Sequence, residues 1–477
     1  MHTVDLAVIV LYLIGITIFG AQFKSSQKTL KDYFLGGRNT PWWAIAFSIV
    51  SAETSTLTVI GTPAISFGGN LGFLQVVAGY LLARVVISTL FLPHYFRGEM
   101  FTAYELMQRR FGPRIRKLTA GSFLVLRAMA EGVRVFAISI VVSIILGTGE
   151  VSSIILIVCL TLFYTFEGGM TAVIWTDVVQ MFLYVAGALL SLFVILGKID
   201  GGWDHVAAVA SAADKFRIFD FGLDFTKAYT FWGGFFGGCF LTTASHGTEQ
   251  LMVQRLLAAK NERESRLALF SSWAVICFQF TLFLIIGLIL YVYYGDTKLP
   301  LPAKLDRIYP QFIWDNLPPG VAGLTIAAIL AAAMSNLSAA LNALASTTIM
   351  DFLKPMAKIH RSEEQYLRLA KWATVGWGVV LFLIGLVAKK VDSVLEAGLS
   401  IASIVYGALL GVFLLGILTK RVGEVAAMCG MTVGLLLMLY IKFATPIAWT
   451  WYVMIGSSAT VITGYAASFI VREKENV

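Results

Sequence analysis

Charge is what this sequence has least of. Of its 477 residues only 13% are Asp, Glu, Lys or Arg, while 58% are hydrophobic and the mean hydropathy is +0.80. A soluble domain carries about 25% charged residues, so a water-soluble globule is excluded. Cysteine is scarce too. Cys159, Cys239, Cys277 and Cys429 all sit inside apolar segments, and none has the spacing of a zinc or redox pair. They read as small buried hydrophobes. A Walker phosphate loop and a Gly-rich nucleotide fingerprint are both missing, which removes an ATP-driven pump within the chain. The apolar run at 4–20 lacks a basic leader and a small-residue cleavage site, and reads as a retained span.

What is present is a series of long apolar blocks, such as "IILIVCLTLFYTF" (154–166) and "FQFTLFLIIGLILYVYY" (278–294). Blocks approaching or exceeding ~18 residues with few charges read as membrane helices. The pattern predicts an all-α polytopic membrane protein of about thirteen transmembrane helices, occupying 1–477 as a single transmembrane domain. The expected span centres lie near residues 12, 54, 83, 132, 159, 184, 240, 282, 336, 378, 406, 432 and 459. The formal net charge of +8 is topological, because the basic residues gather in alternate loops. Lys24, Lys28, Lys31 and Arg38 form one group. Arg97, Arg109, Arg110, Arg114, Arg116 and Lys117 form a second, Arg255, Lys260, Arg263 and Arg266 a third, and Lys354, Lys358, Arg361, Arg368 and Lys371 a fourth. This places the N-terminus outside and the C-terminus, with Arg472 and Lys474, in the cytoplasm; Lys389-Lys390 is a local exception. The partner implied by the charge is a lipid bilayer, with no nucleic acid.

Two spans look broken. In the first, "SAETST" (51–56) interrupts an apolar run. In the second, "WGGFFGGCFLTTASHGTEQ" (232–250), four glycines loosen the helix and its second half is polar. The second lies five spans on from the first, which is the sign of an inverted-repeat transporter. The expected core is a 5+5 repeat, 41–198 and 228–418, with one leading span and two trailing ones. Loop 199–227 is expected to form a short surface helix.

Broken backbone at membrane depth is tolerated where it lines a cavity or is buried in protein. It frees carbonyl oxygens, and these with hydroxyls suit a hard cation. Ser51 and Thr54 are the first candidates, with Glu53 either stabilising the break or facing a substrate. Ser335, Ser338, Asn342 and Ser346 recur at helical spacing, with Asn336 alongside, and form either a site face or a small-residue packing seam. Asp177 follows a Gly-pair turn and is either a helix N-terminal charge or a cation ligand. Arg127, Glu131 and Arg134 can pair on one face. Arg84 lacks a partner in its own segment and is left to Glu53, Glu131 or a substrate carboxylate. Near the second break, Glu249 either contacts substrate or pairs with Arg255. Together Glu53, Thr58, His246, Glu249 and Gln250 are the candidate substrate-binding residues.

The segments "DYFLGGRNTPWWAIAFSIVSAETST" (32–56), "YTFEGGMTAVIWTDVVQ" (164–180), "VQRLLAAKNERESRLAL" (253–269) and "SNLSAALNALASTTIMDF" (335–352) resemble the solute:sodium symporters, in order and over roughly 30–470. The resemblance implies a leucine-transporter-like inverted-repeat fold and Na+-coupled symport by alternating access, without an organic cofactor and without enzyme activity. It assigns a primary sodium site to Ser51, Thr54, the Ala332 carbonyl, Ser335 and Asn336. A second site would use Asp177 and Ser338, with Ala339 in place of one hydroxyl. Leu57 and Thr58 differ from sugar-carrying members. The substrate expected is an amino acid or small carboxylate, ahead of a sugar, vitamin or inorganic anion. An ion channel and a membrane-embedded enzyme are the competing classes. The compact chain fits a bacterial inner membrane.

Overall fold

In the computed structural model, residues 3–23, 28–146, 149–302, 305–356, 362–387 and 394–471 are described. Lys24, Lys358, Arg361, Lys389, Lys390, Arg472 and Lys474 lie outside them. The chain is helical throughout. In order come α1 (Thr3–Ala21), α2 (Leu30–Leu35), α3 (Trp42–Glu53), α4 (Thr56–Gly68), α5 (Leu74–Val86), α6 (Leu92–Tyr95) and α7 (Tyr104–Arg110). Then follow α8 (Pro113–Leu146), α9 (Glu150–Gly197), α10 (Gly202–Ala212), α11 (Gly237–Gly247), α12 (Gln250–Leu257), α13 (Glu262–Thr297) and α14 (Ile308–Asn316). The chain closes with α15 (Val321–Thr347), α16 (Lys354–Met356), α17 (Glu363–Val387), α18 (Val394–Leu418), α19 (Glu424–Ala444) and α20 (Tyr452–Ile470).

The polarity is inside-out relative to a soluble protein. Leu436, Phe443, Ile462 and Ile470 are among the large exposed apolar residues, whereas Ser48, Asp177, Ser335 and Asn342 are wholly buried. Unpaired polar groups are costly in hydrocarbon, so they turn inward and bond one another. Among the described residues, eight helices are long and apolar enough to cross a membrane, or nine if the bent pair Trp42–Glu53 and Thr58–Gly68 is one span. Each of the thirteen expected centres falls within a helix or, at residue 54, in the gap between α3 and α4; length and composition certify fewer spans than thirteen.

The first break has a local cause. Thr54 and Ser55 are both extended, with ψ of 105° and 166°. Ser55 Oγ accepts from the Thr58 N–H, and Thr58 Oγ1 accepts from the Ser55 N–H. That reciprocal capping box starts α4 afresh, and the two halves meet at 62°. A second interruption falls in α9, where Gly169 takes φ 54°. This is the expected Gly-pair turn, and only glycine takes such a φ without strain. The expected surface helix is α10.

The second break is not where the glycines are. Trp232–Phe236 forms a π-helical turn that runs into α11, and the helix ends at Thr248 and extended Glu249. The glycines instead let backbones touch. A Cβ on Gly79 of α5 would lie 2.0 Å from the Phe235 carbonyl oxygen, and one on Gly238 would lie 2.5 Å from that of Val76. Gly237 meets the Thr450 carbonyl as closely, at 2.2 Å. Small residues at such seams replace the hydrophobic drive that lipid does not supply.

Overpacking a tight contact costs about 1–3 kcal/mol. Gly79→Ala is therefore expected to lower the melting midpoint of the detergent-solubilised protein. Gly15→Ala, on α1 with nothing within 4 Å of the added methyl, should leave it unchanged or raise it, because Ala is the better helix former. Equal behaviour of the two variants would refute the seam.

Candidate functional site

The end of α3 frees a carbonyl. Thr54 closes the last turn through its N–H to Val50 O at 3.0 Å, and its own C=O has no helical successor. That oxygen accepts a hydrogen bond of 2.8 Å from Asn336 Nδ2 on α15. The Thr54 hydroxyl donates to Val50 O and accepts from Gln279 Nε2 of α13 at 2.6 Å. Gln279 Oε1 in turn accepts from Tyr184 at 3.3 Å. Ser51 Oγ lies 2.8 Å from Ser335 Oγ. Since Ser335 donates its single proton to Asp177 Oδ1 at 2.7 Å, Ser51 is the donor between the two serines. Thus Ser51, Thr54, Ser335 and Asn336 converge on one buried spot between the break and α15. Ala332 lies on α15 too, with its side chain outside the described residues. Ser338 turns away and back-bonds to Ser335 O at 2.9 Å.

Asp177 is closed on its other side as well. Oδ2 accepts from Ser48 and, at 2.8 Å, from Arg255 Nη2. Arg255 also donates through Nε to Ser48 Oγ at 2.8 Å and through Nη1 to Leu251 O. Both ionic groups are almost fully buried. Two expectations change here. Arg255 belongs to α12 and is buried, rather than being a loop charge at the membrane surface. Its partner is Asp177 rather than Glu249. No local pattern signals this pairing, because Arg255 opens a basic stretch that reads as topology.

α12 is pinned along the polar stripe of α15. Gln254 Nε2 donates to Asn342 Oδ1 and to Phe34 O. Gln250 Nε2 donates to Phe101 O and Ser346 Oγ, and its Oε1 accepts from Ala103 N–H. The stripe therefore serves both readings. Its Ser335 end meets the break, and its Asn342–Ser346 end is a docking seam.

Between the two breaks lies a buried charged cluster. Glu53 Oε2 is 3.1 Å from Arg84 Nη2 on α5 and 3.2 Å from His246 Nε2 on α11. His246 Nδ1 meets Ser245 Oγ at 2.9 Å. Arg84 also donates to Tyr80 O. Glu249 Oε1 is 3.2 Å from Arg127 Nη1, and its Oε2 accepts from Tyr406 OH. Glu131 Oε2 holds Arg127 at 3.1 Å and Arg134 at 3.0 Å. The self-paired trio predicted on α8 is thus present, and it extends to Glu249. The Nε atoms of Arg84, Arg127 and Arg134 are buried without a hydrogen-bond partner among the described residues. Thr58 is engaged in capping α4.

Chemically, the first spot gathers neutral oxygens around a freed carbonyl, which suits a hard monovalent or divalent cation. Among the described residues no group of three or more His, Cys, Asp or Glu could hold a metal ion. The charged cluster offers guanidinium N–H groups, which suit an anion.

Removing one partner of a buried ion pair costs about 3–5 kcal/mol, because the other charge is left uncompensated. Arg255→Leu is expected to lower the melting midpoint sharply. Adding Asp177→Asn to Arg255→Leu should recover part of that loss in a double-mutant cycle with the two single variants. Strictly additive effects would show that the two groups do not act on each other.

Residues 33–434 match the Sodium:solute symporter family. The chain is 30% identical over 476 residues to the sodium/sialic acid symporter of Proteus mirabilis, covering 97% of this chain and 94% of that one. It is 28% identical over 453 residues to the sodium-coupled monocarboxylate transporter 2 of Bos taurus, covering 92% and 72%. A solved outward-open, substrate-bound structure of a Na+-coupled sialic acid symporter superposes with a TM-score of 0.90 at 28% identity, over 100% of both chains. These similarities bear out an all-α symporter fold and Na+ as the co-transported ion, and they make the protein a transporter rather than an enzyme. The chain belongs to the sodium:solute symporter family.

Proposed function

We propose that this sodium-coupled symporter imports a small organic acid, with sugar acids as the first class to test. The carrying observation is Arg84, a fully buried guanidinium held by Glu53 with its Nε unpartnered among the described residues. A buried cation that keeps a spare N–H is equipped to receive a carboxylate bidentately. Both relatives named above are, by name, carriers of acids, which favours this class over an amino acid. Glu53, His246 and Glu249 face the cargo in this reading. Thr58 and Gln250 hold the two breaks instead.

Sodium sits among the Ser51 and Thr54 carbonyls, the Ala332 carbonyl, Ser335 and Asn336, displacing the Asn336 N–H from the Thr54 oxygen. Asp177 acts by orienting Ser335: by taking its proton it leaves the hydroxyl lone pairs facing Ser51 and the ion. With Arg255 against it and Ser338 turned away, Asp177 is a poor ligand for a second ion, so one Na+ per cycle is the favoured stoichiometry. The halves 41–198 and 228–418 form the two repeats, and alternating access moves one set of helices against the other. The N-terminus lies outside and the C-terminus in the cytoplasm, in a bacterial inner membrane. The membrane potential supplies ~2.3 kcal/mol per charge per 100 mV.

In proteoliposomes, labelled sialic acid, pyruvate and proline are offered under an inward Na+ gradient. Uptake of an acid, lost when choline replaces Na+, is the expected result. Uptake indifferent to Na+ would sink the coupling, and uptake of proline alone would sink the acid assignment. Ser335→Ala should raise the Na+ requirement by about tenfold, and wild-type behaviour would remove it from the site. Arg84→Met should abolish acid uptake while Na+ still raises the melting midpoint. Acid uptake retained by that variant would move recognition away from Arg84.

A further inference from the structure

The leading helix α1 contributes nothing to the site described above. Yet its buried polar contacts reach α15, which carries ion-facing oxygens, and α9, which carries the Asp177 that orients Ser335. One face of α1, with Leu11, Ile14 and Ile18, is exposed, and the opposite face, with Asp5, Ile9 and Ile16, is buried. That buried face lies against α9 and α15.

At the start of α15 the backbone N–H groups have no partners within the helix. Gly320 precedes the helix with φ 89° and offers no side chain to cap it. Asp5 supplies the cap from another helix: Oδ1 accepts from Gly320 N–H at 2.7 Å and from Gly323 N–H at 2.8 Å. The approach is close to backbone contact, since a Cβ on Gly323 would lie 2.6 Å from Asp5 Cα. Two turns further along α1, Tyr12 OH accepts from Gln180 Nε2 at 3.2 Å. Gln180 stands one turn beyond Asp177 on α9.

α15 needs such an anchor. Its middle, "AAILAAAMSNLSAALNALA" (327–345), is rich in alanine. Small side chains pack closely but interdigitate shallowly, so they resist sliding along the axis weakly. The Ser335–Asp177 bond at 2.7 Å and the Asn336–Thr54 bond at 2.8 Å each fail after about an ångström of shift. Fifteen residues separate Gly320 from Ser335, or roughly 22 Å of stiff helix. A displacement at the capped end is passed on undiminished.

We propose that α1 sets the strength of the sodium site from outside it, with Asp5 as the positioning residue that fixes the axial register of α15 against α9. The inference rests on the sodium reading above. It is tested on the purified full chain in detergent by following the melting midpoint through a NaCl titration, with choline chloride holding ionic strength constant. Asp5→Ala should raise the half-saturating Na+ concentration about fivefold. Asp5→Asn keeps an accepting oxygen and should stay within about twofold of wild type. Tyr12→Phe should shift the titration in the same direction as Asp5→Ala, and Leu11→Ala on the lipid face should not shift it. Folded Asp5→Ala protein with wild-type Na+ dependence would overturn the proposal. If Asp5→Ala does not yield folded protein, Tyr12→Phe decides, and an unshifted titration overturns the proposal equally. A wild-type protein that melts identically in NaCl and choline chloride would overturn the sodium site itself, which is a separate failure.

Discussion

Everything at the centre of this molecule follows from one carbonyl oxygen. The Thr54 C=O is released where α3 ends, at a depth where water is not on hand to satisfy it. An amide from α15 takes it up. Around it the neighbouring hydroxyls fall into an ordered relay, from Ser51 to Ser335 to Asp177 and on to Arg255. Each link is a buried polar group that would be costly alone. Four separate stretches of chain are therefore held together by the need to satisfy one interrupted turn.

The relay also ties the two breaks to each other. Ser51 belongs to the first, and Arg255 sits on α12, directly after the second. A change in the bonding of the first break is felt by the helix that follows the second through a chain of four side chains. This is the kind of contiguous polar network able to carry coupling energy between sites. Gln250 and Gln254 add a second attachment of α12 to α15, so α12 cannot leave without several bonds breaking together.

Much of this was legible in the sequence, and the reason is local chemistry. A carboxylate and hydroxyls interrupting an apolar run announce the first break without any knowledge of neighbours. The Ser335–Ser346 stripe and the Arg127–Glu131–Arg134 trio are legible because helical periodicity is a property of the chain itself. Long-range pairing is not. Arg255 meets Asp177 across 78 residues and Glu249 meets Arg127 across 122, and nothing in either local pattern selects these partners. The close contacts of the glycines at 233–238 are hidden for the same reason. A glycine that loosens a helix and one that admits a neighbouring backbone look identical until the neighbour is known.

That glycine seam has a mechanical consequence. With Gly79 against Phe235 and Gly238 against Val76, α5 and the helix leading through α11 touch at backbone level, so a larger side chain at either glycine would force them apart. The two groups that grip Glu53 are divided between them, Arg84 on α5 and His246 on α11. Glu53, on the first broken helix, is therefore held by two helices that are themselves locked together at backbone level.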